Sequence, residues 1–193
     1  MTENKHIKEQ QVVDHLVSTF QHLSGKVKRE RRAEVSVDKK LIPSVLSYVK
    51  DQLSFTHMSH MSCVDWIEDE HFELVYILWS PKMEIQLLIK TFINRENPVM
   101  ENVDMIWGQL NTYQREIREM YGIQFTGMIG REEFVLEDWD DMPPMRRDFD
   151  TADFIKNVFF ERPGREDAKD VRNEIAERSG EEIPELAKKY SRD

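Results

Sequence analysis

Apolar residues at Ile7, Val12, Val13, Leu16, Val17, Phe20 and Leu23 recur at close to the helical period. The chain is therefore expected to open with an amphipathic helix, with Gly25 as its stop. Ala33 to Val37, AEVSV, alternates as a strand does. From Ile42 to Leu53, Pro43 stands near the start, and Val45, Leu46, Val49 and Leu53 share one stripe, the pattern of a second helix. A β-rich middle follows. The runs HMSCVDWI, EDEHFELVYILWS and MEIQLLIKTFI are parted by the turn-forming EDE and SPK, which predicts an antiparallel meander. Each run has a mixed inner and outer face, so helices are expected on one side and water on part of the other. Trp107, Leu110, Ile117 and Tyr121, with Gln114 between, then line one stripe of a third helix, ended by Gly122.

Past Gly127 the period is lost. REEFVLEDWDDMPPMRRDFDTADF mixes prolines, acids and aromatics and reads as an extended segment. REDAKDVRNEIAERSG reads as a charged helix ending at Gly180, and no internal repeat is present. The expected fold is α+β: an antiparallel or mixed sheet with helices packed on one face, plus an extended C-terminal tail. The expected division is a domain over 1–126, with a helical N-terminal extension over 1–32, and a partner-wrapping tail over 127–193.

Composition sharpens this. Of 193 residues, 39% are hydrophobic and 33% charged, so part of the chain is expected to lack a core of its own. A formal net charge of −10 argues against general nucleic-acid binding. Against that trend runs KVKRERR, Lys26 to Arg32, read as a solvated loop or helix end, or else as a contact for an acidic neighbour or anionic lipid. The single cysteine, Cys63, excludes an internal disulfide and a four-cysteine cluster, and fits a reducing compartment. The polar start, MTENKHIKEQ, does not resemble a signal peptide, and the longest apolar run, LVYILW, is too short to span a bilayer. The chain is expected to be soluble, meeting a membrane only through partners.

Candidate chemistry is sparse. His57, His60 and Cys63 are spaced by three and would converge on a helix. On the strand that the flanking pattern favours, the two histidines point to opposite faces, so ordinary sheet residues are expected rather than a metal site. Glu137, Asp138, Asp140 and Asp141 lack the order of a calcium loop. GMIG matches neither a phosphate-cradling loop nor a dinucleotide fingerprint, and no serine sits in a nucleophile elbow. Arg115, Glu116, Arg118 and Glu119 remain. Arg115 and Glu119 lie one turn apart and can pair, a contact worth well under ~1 kcal/mol when exposed. A solvated helix face explains them as well as a binding role does.

Two motifs carry a family resemblance. QREIREMYGI resembles the signature helix of the 30 kDa subunit of respiratory NADH dehydrogenase (complex I), also termed its C subunit, with Arg115, Glu116, Glu119, Met120, Tyr121, Gly122 and Ile123 matching. Gln114 stands where that pattern has glutamate. FVLEDW followed by PMRRDF resembles the family's second signature through Pro144, Met145, Arg146, Arg147, Asp148 and Phe149. Met142-Pro143 replaces the usual glycine-histidine. In that respect the chain looks closer to the related subunits of energy-converting hydrogenases and similar ferredoxin-linked complexes. The resemblance spans roughly Ala33 to Phe149.

It implies a subunit with no cofactor of its own, on the cytoplasmic side of the cell membrane. The implied partners are a large subunit related to that of [NiFe]-hydrogenase and an iron–sulfur small subunit. Iron–sulfur clusters, and nickel–iron in a hydrogenase, would sit in those partners. The alternatives are the 30 kDa subunit of complex I proper and a stand-alone acidic adaptor. Ordering a tail of about thirty residues costs on the order of 30 kcal/mol, equivalent to burying roughly 1,200 Å² of apolar surface. A large interface could supply that area. Phe134, Trp139, Met145, Phe149, Phe154, Phe159 and Phe160 are accordingly expected to anchor the tail on the partner, with packing on the chain's own sheet as the alternative. Arg146, Arg147 and Asp148 would set its register, and Arg115, Glu116 and Glu119 would brace the helix against tail or partner. Replacing Arg146 and Arg147 by alanine is then expected to lower complex recovery without changing the domain's melting.

Overall fold

The structure is a computed structural model, described here for residues 6–128 and 133–158. The chain divides into a unit up to Phe149 and a second from Asp150. In the first, β1 (Ser24–Arg29), β2 (Arg32–Ser36), β3 (His57–Trp66), β4 (His71–Ser80) and β5 (Ile85–Asn94) form one sheet, ordered β1-β2-β5-β4-β3. The last three are the antiparallel meander that alternation predicts, whereas β2 joins β5 in parallel, making the sheet mixed.

Three helices, α1 (Ile7–Thr19), α2 (Ile42–Asp51) and α3 (Leu110–Tyr121), send their apolar stripes into one cluster with the inward strand residues. Val13, Leu16, Ile42, Val45, Leu110 and Ile117 meet Val35, Leu74, Tyr76, Leu87 and Ile89 there, all buried. A small parallel pair, β6 (Val99–Glu101) and β7 (Gln124–Thr126), flanks α3 in sequence.

Several elements differ from expectation. The first helix ends at Thr19, and Gly25 lies inside β1 instead of closing it. A Cβ on Gly25 would stand 2.8 Å from Val13 and 2.9 Å from Val35, so glycine lets α1 settle directly on the sheet. The basic run is neither loop nor helix end, and the helical extension does not reach residue 32: these residues build β1, the turn at Glu30-Arg31, and the start of β2. Val27 faces the core while Lys26 and Lys28 face outward, an alternation hidden by the density of charge. Lysines on an edge strand also oppose edge-to-edge pairing with other chains.

At the other end, α4 (Thr151–Val158) occupies a stretch read as aperiodic. Asp150 caps it, its carboxylate accepting from the Ala152 and Asp153 amides at 2.9 and 3.0 Å. The charged helix expected before Gly180, and Phe159 and Phe160, lie outside the described residues.

Candidate functional site

Of the segment read as extended, residues 133–149 are laid against their own domain. α3 stops at Gly122, whose φ of +79° suits glycine. A Cβ at Gly122 would also come within 3.1 Å of Pro143 and 3.3 Å of Arg146, so the glycine lets the returning strap pass close by.

The strap is held at three places. The Glu119 carboxylate accepts three successive backbone N–H groups, from Phe134 at 2.6 Å, Val135 at 2.9 Å and Leu136 at 3.1 Å. Burial pushes this carboxyl up, but the three amides and the Arg118 charge outweigh it and hold it below the ordinary carboxylate range. Arg115 donates to the Glu133 carbonyl at 2.9 Å and lies over the Phe134 ring. The expected Arg115–Glu119 pairing is thus replaced by contacts with the strap. Glu116 is half-buried, without a hydrogen-bond or ion-pair partner among the described residues.

At the second place, the Met145 amide donates to the Met120 carbonyl at 3.0 Å and Arg146 Nε to the Tyr121 carbonyl at 2.9 Å. The Arg146 guanidinium also covers the buried Phe72 ring, 5.4 Å from its centroid.

The third is an ionic relay. Arg95, just past the end of β5, binds Asp65 of β3 through both carboxylate oxygens, at 2.9 and 3.2 Å, and Asp148 at 2.6 Å. Asp65 also accepts the Arg147 amide at 2.9 Å, while the Arg147 guanidinium pairs with Glu68. Hydrogen bonds to these two carboxylates push the Arg95 guanidinium up, and Arg95 in turn holds the Asp148 carboxyl low.

Sequence reading missed Asp65, Glu68 and Arg95. The available signal was parity: Met61, Cys63 and Asp65 alternate onto the buried face, and a buried acid there requires a cation.

Of the strap's aromatics, Phe134 is half-buried beneath Arg115, and Trp139 meets Phe149 with centroids 5.8 Å apart. Val135, Met142 and Met145 face outward. Phe154 belongs to α4, in the second unit.

His57 and His60 do not take opposite faces. The register slips between Met58 and His60, so both histidines are exposed while Cys63 is buried. His60 packs edge-on against Tyr113. Among the described residues no group of three His, Cys, Asp or Glu side chains could hold a metal ion, and no helix is long and apolar enough to cross a membrane. Glu137, Asp138, Asp140 and Asp141 lie on the strap, all at least partly exposed.

Fold and clasp together define a helix-backed mixed sheet with a motif-bearing strap locked across its end. The family model for the respiratory-chain NADH dehydrogenase 30 kDa subunit matches residues 35–154, which take in both motifs and the relay. The chain belongs to this family, whose members are 30 kDa-type subunits of complex I-like respiratory oxidoreductase complexes.

It is 33% identical over 122 residues to the C subunit of the F(420)H(2) dehydrogenase of Methanosarcina mazei, covering 62% of this chain and 76% of that one. With the C subunit of the NADH-quinone oxidoreductase of Moorella thermoacetica it shares 25% identity over 142 residues, 71% of this chain and 95% of that one. Among solved structures, a chain of an archaeal respiratory membrane complex, the membrane-bound sulfane sulfur reductase, superposes with a TM-score of 0.73 at 27% identity, covering 80% of this chain and 96% of that one.

Proposed function

We propose that the chain is a structural subunit of the peripheral arm of its complex, contributing shape and grip rather than reactivity. It docks on a large subunit related to that of [NiFe]-hydrogenase, beside an iron–sulfur small subunit. The redox centres, iron–sulfur clusters and in a hydrogenase nickel–iron, belong to those neighbours. The complex is of the ferredoxin-linked, energy-converting hydrogenase type, on the cytoplasmic side of the cell membrane, and this chain reaches the membrane only through its partners.

The observation that carries this reading is the clasp. A segment with Val135, Met142 and Met145 exposed is fixed in place by Glu119, Arg146 and the Asp65–Arg95–Asp148 relay. A pre-ordered apolar edge loses little entropy on binding, which favours a stable interface. The likeness to the sulfane sulfur reductase chain and to the F(420)H(2) dehydrogenase subunit supports a complex other than NADH–quinone oxidoreductase. The near-complete coverage of the Moorella protein favours the second reading, the 30 kDa subunit of complex I proper. In either complex, Trp139, Met145, Arg147 and Phe149 on the strap, with Glu116 on α3, face the partner. Arg115, Glu119, Arg146 and Asp148 hold the strap that presents them.

The structure revises the expected effect of replacing both arginines. Arg146 is bonded within its own domain, so Arg146→Ala lowers melting as well as assembly. The discriminating variant is Val135→Asp with Met145→Asp, because both side chains are exposed. Its expected result is an unchanged melting temperature and a loss of about tenfold or more in co-purification with iron–sulfur proteins. Normal assembly of that variant, read by mass spectrometry of the purified complex, would overturn the proposal.

A further inference from the structure

The face of the sheet turned away from the helices has two halves. Towards β3, Val64, Trp66 and Phe92 are 38%, 41% and 47% exposed, far more than their inward neighbours. They form one group, since Val64 lies across from Glu73 and Glu73 across from Phe92. The Trp66 indole donates to the Glu73 carboxylate at 2.9 Å.

Towards β1 the same face is cationic. Lys26, Lys28, Arg29, Arg32 and Lys90 stand on it against two carboxylates, Glu34 and Glu73, and no other carboxylate rises from the five strands on that side. Lys90 bridges the two acids, at 2.6 Å to Glu73 and 3.6 Å to Glu34, while Lys28 reaches Glu34 at 3.2 Å. Both acids are thus already neutralised, leaving an excess of three positive charges on a chain whose net charge is −10.

An apolar group beside a surplus of cations has the make-up of a protein interface with a preferred sign of partner. A chain so acidic overall is repelled by an anionic bilayer, which favours a protein over a lipid surface. We propose that this open face is a second docking surface, taking an acidic segment of a neighbouring subunit whose apolar side chains cover Val64, Trp66 and Phe92. The inference rests on membership of a multi-subunit complex, but not on the clasp being an interface.

The test uses the assembled complex. A photo-cross-linking benzoylphenylalanine is placed at Val64, at Phe92 or, as reference, at Val135 of the strap. Adducts from the first two positions are expected on an Asp- and Glu-containing segment of another subunit. Adducts only with a second copy of the chain, with its own residues 159–193 or with lipid would overturn the proposal, as would no adduct.

A cross-link from Val135 with none from Val64 or Phe92 sinks this inference alone; silence at all three positions sinks the clasp reading too. Lys26→Gln with Lys28→Gln gives an independent measure: both lysines are well exposed and Lys90 still faces Glu34, so the fall in melting temperature should be small, and retention is compared well below it. Retention of the double variant in the complex is expected to fall about tenfold at ~0.1 M salt and to converge with wild type near ~1 M, where the screening length shrinks to about 3 Å. Equal retention at low salt would refute the charge argument.

Discussion

Replacing Arg95 by alanine tests the clasp at its centre. The Asp65 side chain is 2% exposed and accepts three hydrogen bonds, two from Arg95 and one from the Arg147 amide. Removing the guanidinium leaves a buried carboxylate with a single donor. Breaking a buried pair by deleting one partner costs about 3–5 kcal/mol. The Arg95 side chain is 15% exposed, so water can partly replace it, and the lower end of about 3 kcal/mol applies. Loss of the more exposed Asp148 contact adds well under about 1 kcal/mol. For a chain of this size about 3 kcal/mol corresponds to a fall in Tm of roughly 6–12 °C. Urea unfolding of the full chain, followed by tryptophan fluorescence, measures it directly. Adding Asp65→Asn removes the stranded charge, so the double variant should be more stable than Arg95→Ala alone. A loss below about 1 kcal/mol for Arg95→Ala, or no such recovery, would refute the assignment of a buried, strap-holding ion pair.

Three further outcomes follow from the same geometry. Gly25→Ala forces a methyl against Val13 and Val35 and should cost about 1–3 kcal/mol in urea unfolding, with the sheet otherwise retained. Glu34, Glu119 and Asp148 are held below their ordinary values of 4.5, 4.5 and 3.8, so near those values the unfolded chain binds protons that the folded chain does not. Their contribution to stability is complete above about pH 5 and lost as pH falls through the folded values, which a pH series of melting curves would show. Burial, with the charges of Asp65 and Glu73, pushes the Cys63 thiol up, so iodoacetamide should label it about a hundredfold or more slower in the native chain than in urea.

Some of this architecture is written in local pattern. The β3–β5 meander, the stripe of α2 and the stop at Gly122 depend on period-two or period-3.6 spacing and on one glycine, all read within a short window. The motif positions in α3 and PMRRDF were equally plain, because their order along the chain is itself the signal. β1 was missed because dense charge masks the single inward Val27, and only pairing with β2 makes that stretch a strand.

Composition and spacing by themselves determined an α+β fold with the motif-bearing helix α3 and a proline-bearing strap, since side-chain period and turn chemistry act over a few residues. Where the strap goes was decided by tertiary structure alone. Asp65, Arg95 and Asp148 lie 30 and 53 positions apart, and they form a relay only because the sheet brings the ends of β3 and β5 together beneath the returning chain. The physical reason is burial: a carboxylate enclosed by its own domain must find its counter-charge wherever the fold delivers one, at any distance along the sequence.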